Sequence, residues 1–570
     1  MAEITRRSFF KTAGALGSIG LAAGLAGCAP SNTETAASGE SSSNDSATTA
    51  GEPLFLTPPE AIADDAIANT VDADVVVVGA GTSGLVTALS ALENGLSVQL
   101  FSASSAPVAR GGSNCGIYSK AMEAAGVEKI PYDVVTNELI QASYMPDQQK
   151  WARYYEHSEE SMNWLIDIME SAGYMTVLEQ NAGFPATSPF YQPLGSHSWC
   201  TSEEPIAGGG QPLVVDTLAR EIEKAGGTIT YNTVAKQLVR GGKANGTEGR
   251  VEAVIAQAAD GSYVKYAAAK AVVLATGDFS ANREMMEKYC TWAAPFFEGI
   301  DEENIDYDIT INMGGLYRGD GQRMGLWVGA AWQNIDPNCC MGGNICCGPW
   351  RQLQENFLGL LVNKNGQRYM NEAATSALGG MPALQQPDHT ITAIWDSNYA
   401  AFLGDTWHPF GAAYGITPTL APDEVVAQWN EQANNGAYIR ADSLEELISM
   451  ADLPIETLDT IKHYNELCAA GNDADFHKGA EYLAPIEQGP FFAASKDTPD
   501  AMTVLGGLRT NEHMQVCDEN DEPLPGLYNV GTMVGDFYAG IYTFQLCGVN
   551  LGATCLTFGY LTGKHIAENE

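Results

Sequence analysis

A chain of 570 residues exceeds the ~250 to 300 residues at which single hydrophobic cores stop growing, so one domain is excluded and two or more are expected. Hydrophobic residues make up 45% and charged residues 17%, a globular composition that excludes a disordered or coiled-coil protein. The net charge of −41 is dispersed along the chain as a solvated acidic surface, which excludes nucleic acid and anionic lipid as partners.

Thr5-Arg6-Arg7-Ser8-Phe9-Phe10-Lys11 runs into a small-residue apolar stretch that ends at Gly27, and the pattern resembles a twin-arginine export signal. The stretch from Ala13 to Gly27 is shorter and richer in Gly and Ala than a spanning helix, which needs ~20 apolar residues. Leu25-Ala26-Gly27-Cys28 resembles a lipobox, so the expectation for residues 1–28 is a signal with a lipid on Cys28; a plain signal cleaved elsewhere is the alternative. Residues 29–53 are rich in Ser, Thr, Ala, Asn and Glu without apolar periodicity, the composition of a tether. The twin-arginine route implies a protein exported already folded, with its cofactor inserted inside the cell.

Asp74-Val75-Val76-Val77-Val78 reads as a buried parallel strand leading into Gly79-Ala80-Gly81-Thr82-Ser83-Gly84 and a helix over Leu85–Glu93. The glycines permit a tight turn, close approach of backbone to a pyrophosphate and packing of helix on strand. The helix start supplies N–H donors and a positive dipole end. A dinucleotide site is therefore expected at Gly79, Ala80, Gly81, Ser83 and Gly84. A second strand, Ser97–Phe101, should end in an acid for the ribose hydroxyls, and this chain has Ser102 there. A serine can still hydrogen-bond a ribose, without the charge.

Further segments follow in order. They are Gly111-Gly112-Ser113-Asn114; Ala271 to Phe279 with Ala275-Thr276-Gly277; Gly319-Asp320-Gly321; Val362-Asn363 with Gly366 to Glu372; and Gly506-Gly507-Leu508, Pro525 to Tyr528 and Gly531. Together they resemble the flavoprotein family of fumarate reductase and succinate dehydrogenase. The resemblance implies FAD as cofactor and an α/β fold: a discontinuous Rossmann-like FAD-binding domain (54–334 and 489–570) with an inserted α+β capping domain (335–488). It also implies a cleft between the two that closes away from water.

In that family an arginine protonates the substrate carbon while His and Arg side chains clamp its carboxylates. Counting from the nearest motifs, the arginine acid falls on Ser376, one histidine on Thr503, the C-terminal arginine on Tyr542 and the other histidine within Cys339-Cys340-Met341. All four positions are neutral. Burying a carboxylate among them would cost several kcal/mol, so a small dicarboxylate is not the expected substrate. The expected substrate is a larger neutral molecule, such as an enone or a steroid-like or polyphenol-like compound. Tyr542 is the first candidate for general acid and Tyr538 the second, because a phenol of pKa near ~10 is protonated at neutral pH. The same region resembles the related 3-ketosteroid dehydrogenases, which use a tyrosine there. The alternative is that Tyr538, Tyr542 and Phe544 line an apolar wall; Arg318 and Arg351 are cationic alternatives.

Of the twelve cysteines, Cys339-Cys340 and Cys346-Cys347 have a spacing that fits no zinc or ferredoxin pattern, so buried thiols are expected, with a disulfide or iron–sulfur cluster as the alternative, and no metal is assigned. No CxxCH haem motif occurs in the chain, so electrons must come from an external donor. The expected activity is an extracytoplasmic, FAD-dependent reductase of an activated C=C bond. Two alternatives are a 3-ketosteroid-type dehydrogenase running the same chemistry backwards and a tethered flavin- or ligand-binding protein without catalysis.

Overall fold

The valine run expected as a strand is the C-terminal half of a longer one, β1 (Ile67–Val78), because residues 67–73 pair with a partner strand ahead of the valines. The computed structural model describes residues 53–180, 187–202, 210–294, 302–308, 317–335, 339–342, 357–374, 378, 381–404, 407–408, 412–496, 501–543 and 545–570. After β1 come helix α1 (Thr82–Glu93), β2 (Val98–Phe101), β3 (Asn114–Cys115), α2 (Tyr132–Gln141), α3 (Gln148–Ser171), β4 (Met175–Leu178) and β5 (Ser196–Cys200). Next are β6 (Thr228–Thr230), β7 (Val234–Arg240), β8 (Lys243–Ala244), β9 (Val251–Gln257), β10 (Tyr263–Leu274) and α4 (Asp320–Trp327). β11 (Cys339–Gly342), β12 (Leu360–Asn363), β13 (Ile391–Asp396), β14 (Ile439–Ala441), β15 (Phe491–Lys496) and β16 (Ala501–Leu505) follow. The chain closes with β17 (Gln515–Cys517), β18 (Pro523–Asn529) and α5 (Phe558–Asn569).

Five strands lie parallel in the order β6, β2, β1, β10, β18, the arrangement of an open dinucleotide-binding sheet. The first half of β10 also pairs antiparallel with β9, which continues through β7 to β8. Val75, Val76 and Val77 are fully buried, as expected for strands covered on both faces. α1 is buried from Thr82 to Ala91, with α5 packed against it. Gly563 makes that approach possible, since a Cβ there would lie 2.6 Å from Ser90 Oγ. Ser90 Oγ in turn donates to the carbonyl of Tyr560 at 2.7 Å.

A second sheet, in the order β12, β13, β15, β14, is antiparallel throughout and carries its own aromatic core of Trp395, Tyr399, Trp407, Trp429 and Phe492. Its strands span Leu360–Lys496, so the last begins after Gln488. The expected 362–372 hairpin is a tight turn: Gly366 N–H donates to Asn363 O at 2.8 Å and Asn363 N–H to Gln367 O at 2.9 Å. Beneath it Arg368 bonds both Glu372 and Asp473, and the fully buried Lys478 bonds Tyr464 and the carbonyls of Leu358 and Gly359. Asp473 is held well below the usual carboxylate range by these bonds, against the burial that opposes them.

Candidate active site

The C-terminal ends of the parallel strands converge, which is where open α/β sheets hold their ligands. At the end of β1, Gly79 adopts φ +115°, a conformation open to glycine. A Cβ on Gly84 would overlap Gly79 O, so the loop and helix touch backbone to backbone. Gly81 is the N-cap of α1 and supplies no side-chain cap; the nearest atom to a Cβ placed on it is Val108 O, 3.9 Å away. The helix begins at Thr82, three residues before the expected Leu85, because the glycine loop turns directly into it. N–H groups that no side chain caps at a helix start suit a pyrophosphate.

Neighbouring segments complete the cradle. Val108 N–H donates to Ala80 O at 3.0 Å, which lays the Gly111-Gly112-Ser113 loop beside the glycine turn. Ser113 Oγ donates to Glu179 Oε2 at 2.5 Å, and Asn114 is held by Leu551 O and Gln211. At the end of β10, Ala275 N–H bonds Val78 O, and Thr276 Oγ1 accepts from Gly321 N–H at 3.1 Å. Gln322 Nε2 donates to Gly277 O at 2.9 Å. From the C-terminal part, Gly506 N–H bonds Thr532 O, Gly507 N–H bonds Gln333 Oε1, and Gly531 lies on Ser83. Among the described residues Gln322 Oε1, near the start of α4, and Asn529 Oδ1, at the end of β18, are buried acceptors without a donor. An uncapped helix start, a glycine turn in backbone contact and unmatched acceptors fit FAD. The end of β2 is different: Ser102 Oγ and Ser104 Oγ bond each other at 2.8 Å.

The substrate-side candidates are placed as follows. β11 pairs with β16, so Cys339 and Cys340, opposite Leu505 and Val504, lie on the strand beside Thr503. The Thr503 hydroxyl is buried and has no hydrogen-bond partner among the described residues. Ser376, Phe544, Arg351 and Cys346-Cys347 lie outside the described residues, as do residues 1–52 and with them Cys28. Arg318 is engaged with the Tyr307 hydroxyl at 3.1 Å and with Asp320. Among the described residues no group of three His, Cys, Asp or Glu side chains is placed to hold a metal.

The Tyr538 and Tyr542 rings meet at 5.0 Å, and the segment carrying them is gripped by the start of α3. There Trp151 stacks on Phe537 at 4.4 Å and donates to its carbonyl at 2.7 Å, while Lys150 Nζ donates to Gly535 O at 2.8 Å. Asn550 N–H points at the Tyr542 hydroxyl, 3.5 Å away. Burial, with lesser contributions from Cys547, Glu138 and Cys115, pushes that hydroxyl well above its usual range, so it stays protonated. Sequence reasoning missed Glu138. Its side chain is 3% exposed, accepts from Thr543 Oγ1 at 2.5 Å, and is pushed up to about 7 by burial.

The FAD binding domain family profile matches residues 74–551. This chain belongs to that family. It is an FAD-dependent oxidoreductase. Among its relatives, the vinyl phenol reductase of Lactiplantibacillus plantarum is 25% identical over 86% of this chain and 95% of its own length. The digoxin reductase of Eggerthella lenta is 25% identical over 99% of this chain and 97% of its own. Among solved structures, a 3-ketosteroid-Δ4-(5α)-dehydrogenase from Rhodococcus jostii has a TM-score of 0.63 at 23% identity, covering 87% of this chain and 97% of that one. That likeness shows the fold.

Proposed function

We propose that the protein is an extracytoplasmic reductase that saturates an activated C=C bond of a neutral organic molecule, an enone or a steroid-like or polyphenol-like compound, and not fumarate. The observation that carries this reading is the buried Thr503 hydroxyl, unbonded among the described residues; by count from Gly506-Gly507 it falls on a substrate histidine of the fumarate reductase pattern. A carbonyl or phenol would satisfy it, whereas a carboxylate would enter without a cation. The full-length relatives named for vinyl phenol and digoxin support a neutral substrate. FAD bound along the glycine cradle supplies hydride chemistry. Tyr542, or Tyr538 beside it, gives a proton to the adjoining carbon, and its elevated pKa keeps that proton in place between turnovers. The unit 335–488 acts as a lid that excludes water, and an external carrier delivers the electrons. Cys28 tethers the protein to the membrane by lipid.

The test is anaerobic oxidation of reduced viologen by the purified protein against a panel of enones, steroids and phenylpropenoids. Turnover is expected with members of that panel and not with fumarate; turnover with fumarate alone overturns the reading. The steroid dehydrogenase fold and the tyrosine pair favour a second reading, oxidation of a ketosteroid-like substrate. Dye reduction by saturated ketosteroids would report it.

A further inference from the structure

The end of β2 lacks the carboxylate that dinucleotide-binding folds direct at the ribose hydroxyls of the adenosine. The hydroxyls of Ser102 and Ser104 are engaged with each other and with the backbone, since Ser102 Oγ bonds Ser104 Oγ at 2.8 Å and Ser104 Oγ donates to Ala106 O at 2.7 Å. A carboxylate nevertheless stands at this place. Asp308 Oδ1 accepts from Ser105 N–H at 2.6 Å, across 203 residues of sequence. Its backbone is fixed by a turn in which Asp308 N–H donates to Asp306 Oδ1 at 3.0 Å.

A second residue, Tyr317, stands at the neighbouring strand end. The Tyr317 ring lies on Gly277 at the end of β10, with its Cδ2 2.6 Å from where a Cβ of Gly277 would be. Burial pushes the Tyr317 hydroxyl up to about 12, with Asp308 and Asp306 among the charges acting on it alongside Arg110 and Asp278. Asp308 thus stands at the loop that follows β2, within electrostatic reach of Tyr317 at the end of β10. Its Oδ1 holds the backbone of the β2 loop, and its second oxygen is an acceptor for a hydroxyl donor.

We infer that Asp308 supplies, from a remote segment, the carboxylate for the adenosine ribose of FAD that Ser102 cannot. The contact is charge-assisted, and its loss weakens binding by about tenfold or more.

The experiment is a binding cycle on the full-length protein freed of flavin, read by quenching of flavin fluorescence. The wild type and Asp308→Asn are each titrated with FAD and with an FAD analogue lacking both adenosine ribose hydroxyls. The wild type is expected to prefer FAD by about tenfold, and Asp308→Asn to bind the two alike. An Asp308→Asn protein that keeps the wild-type preference overturns the inference, as does a wild type with no preference. If the carboxylate served only to hold the Ser105 loop, both flavins would lose affinity equally and the preference would survive.

Discussion

Glu138 is a carboxyl whose pKa folding raises toward neutrality. It lies on α2 with Oε1 bonded by Thr543 and Oε2 buried without a donor, and burial moves its pKa from the ordinary 4.5 to about 7. Between those values the folded state keeps a proton that the unfolded state has lost, so its contribution to stability is complete below pH 4.5 and is lost as pH rises through 7. The effect amounts to about 3 kcal/mol at most. Glu138→Gln is expected to flatten the stability profile between pH 5 and 8 in urea titrations, leaving the variant relatively more stable at the alkaline end. Tyr542→Phe is expected to lower kcat by about 10² or more with KM changed only a few-fold, as measured by steady-state viologen oxidation. An equal loss in Tyr538→Phe alone would move the acid to that ring. Neither Glu138 nor its neighbours announce themselves in the sequence, because an acidic residue in the pattern YDVVTNELIQ reads as helix surface. Its burial is decided by a threonine 405 residues away.

At the scale of elements, what the sequence made legible was backbone chemistry. The Gly79–Gly84 turn could be read because each glycine answers a local demand, a positive φ at Gly79 and a backbone contact at Gly84. Gly84→Ala is expected to force the start of α1 off Gly79 and to yield protein with a lower ratio of flavin absorbance to protein absorbance. The beginning of β1 was less legible, since Ile67, Asn69 and Thr70 become strand only through pairing with Tyr263, Val264 and Lys265. Thr503 could be aligned by counting, but its partner strand could not, because strand pairing between residues 339–342 and 501–505 leaves no local signature. The buried group of Arg368, Glu372, Asp473 and Lys478 was similarly hidden; a motif supplied two members and tertiary packing the others.

For the whole molecule, composition bounded the class and the motif order predicted the open parallel sheet, whose strands β1, β2, β10 and β18 come from both ends of the chain. Among the described residues no helix is long and apolar enough to cross a membrane. The proposed route to the cell surface therefore rests on residues 1–28. Changing Arg6 and Arg7 together to Lys is expected to leave the holoprotein inside the cell, as read by fractionation and immunoblotting, and Cys28→Ser to abolish labelling by an alkynyl fatty acid.

The cysteines packed around the cradle carry a chemical consequence. Cys115 adjoins the Gly111-Gly112-Ser113 loop and Cys555 lies 4.0 Å from where a Cβ of Gly531 would be; burial pushes both thiols up to about 12. A reduced flavin that meets oxygen generates hydrogen peroxide, and peroxide attacks thiolates rather than thiols. Burial keeps both sulfurs beside the glycine segments in the thiol form, the one that peroxide attacks slowly.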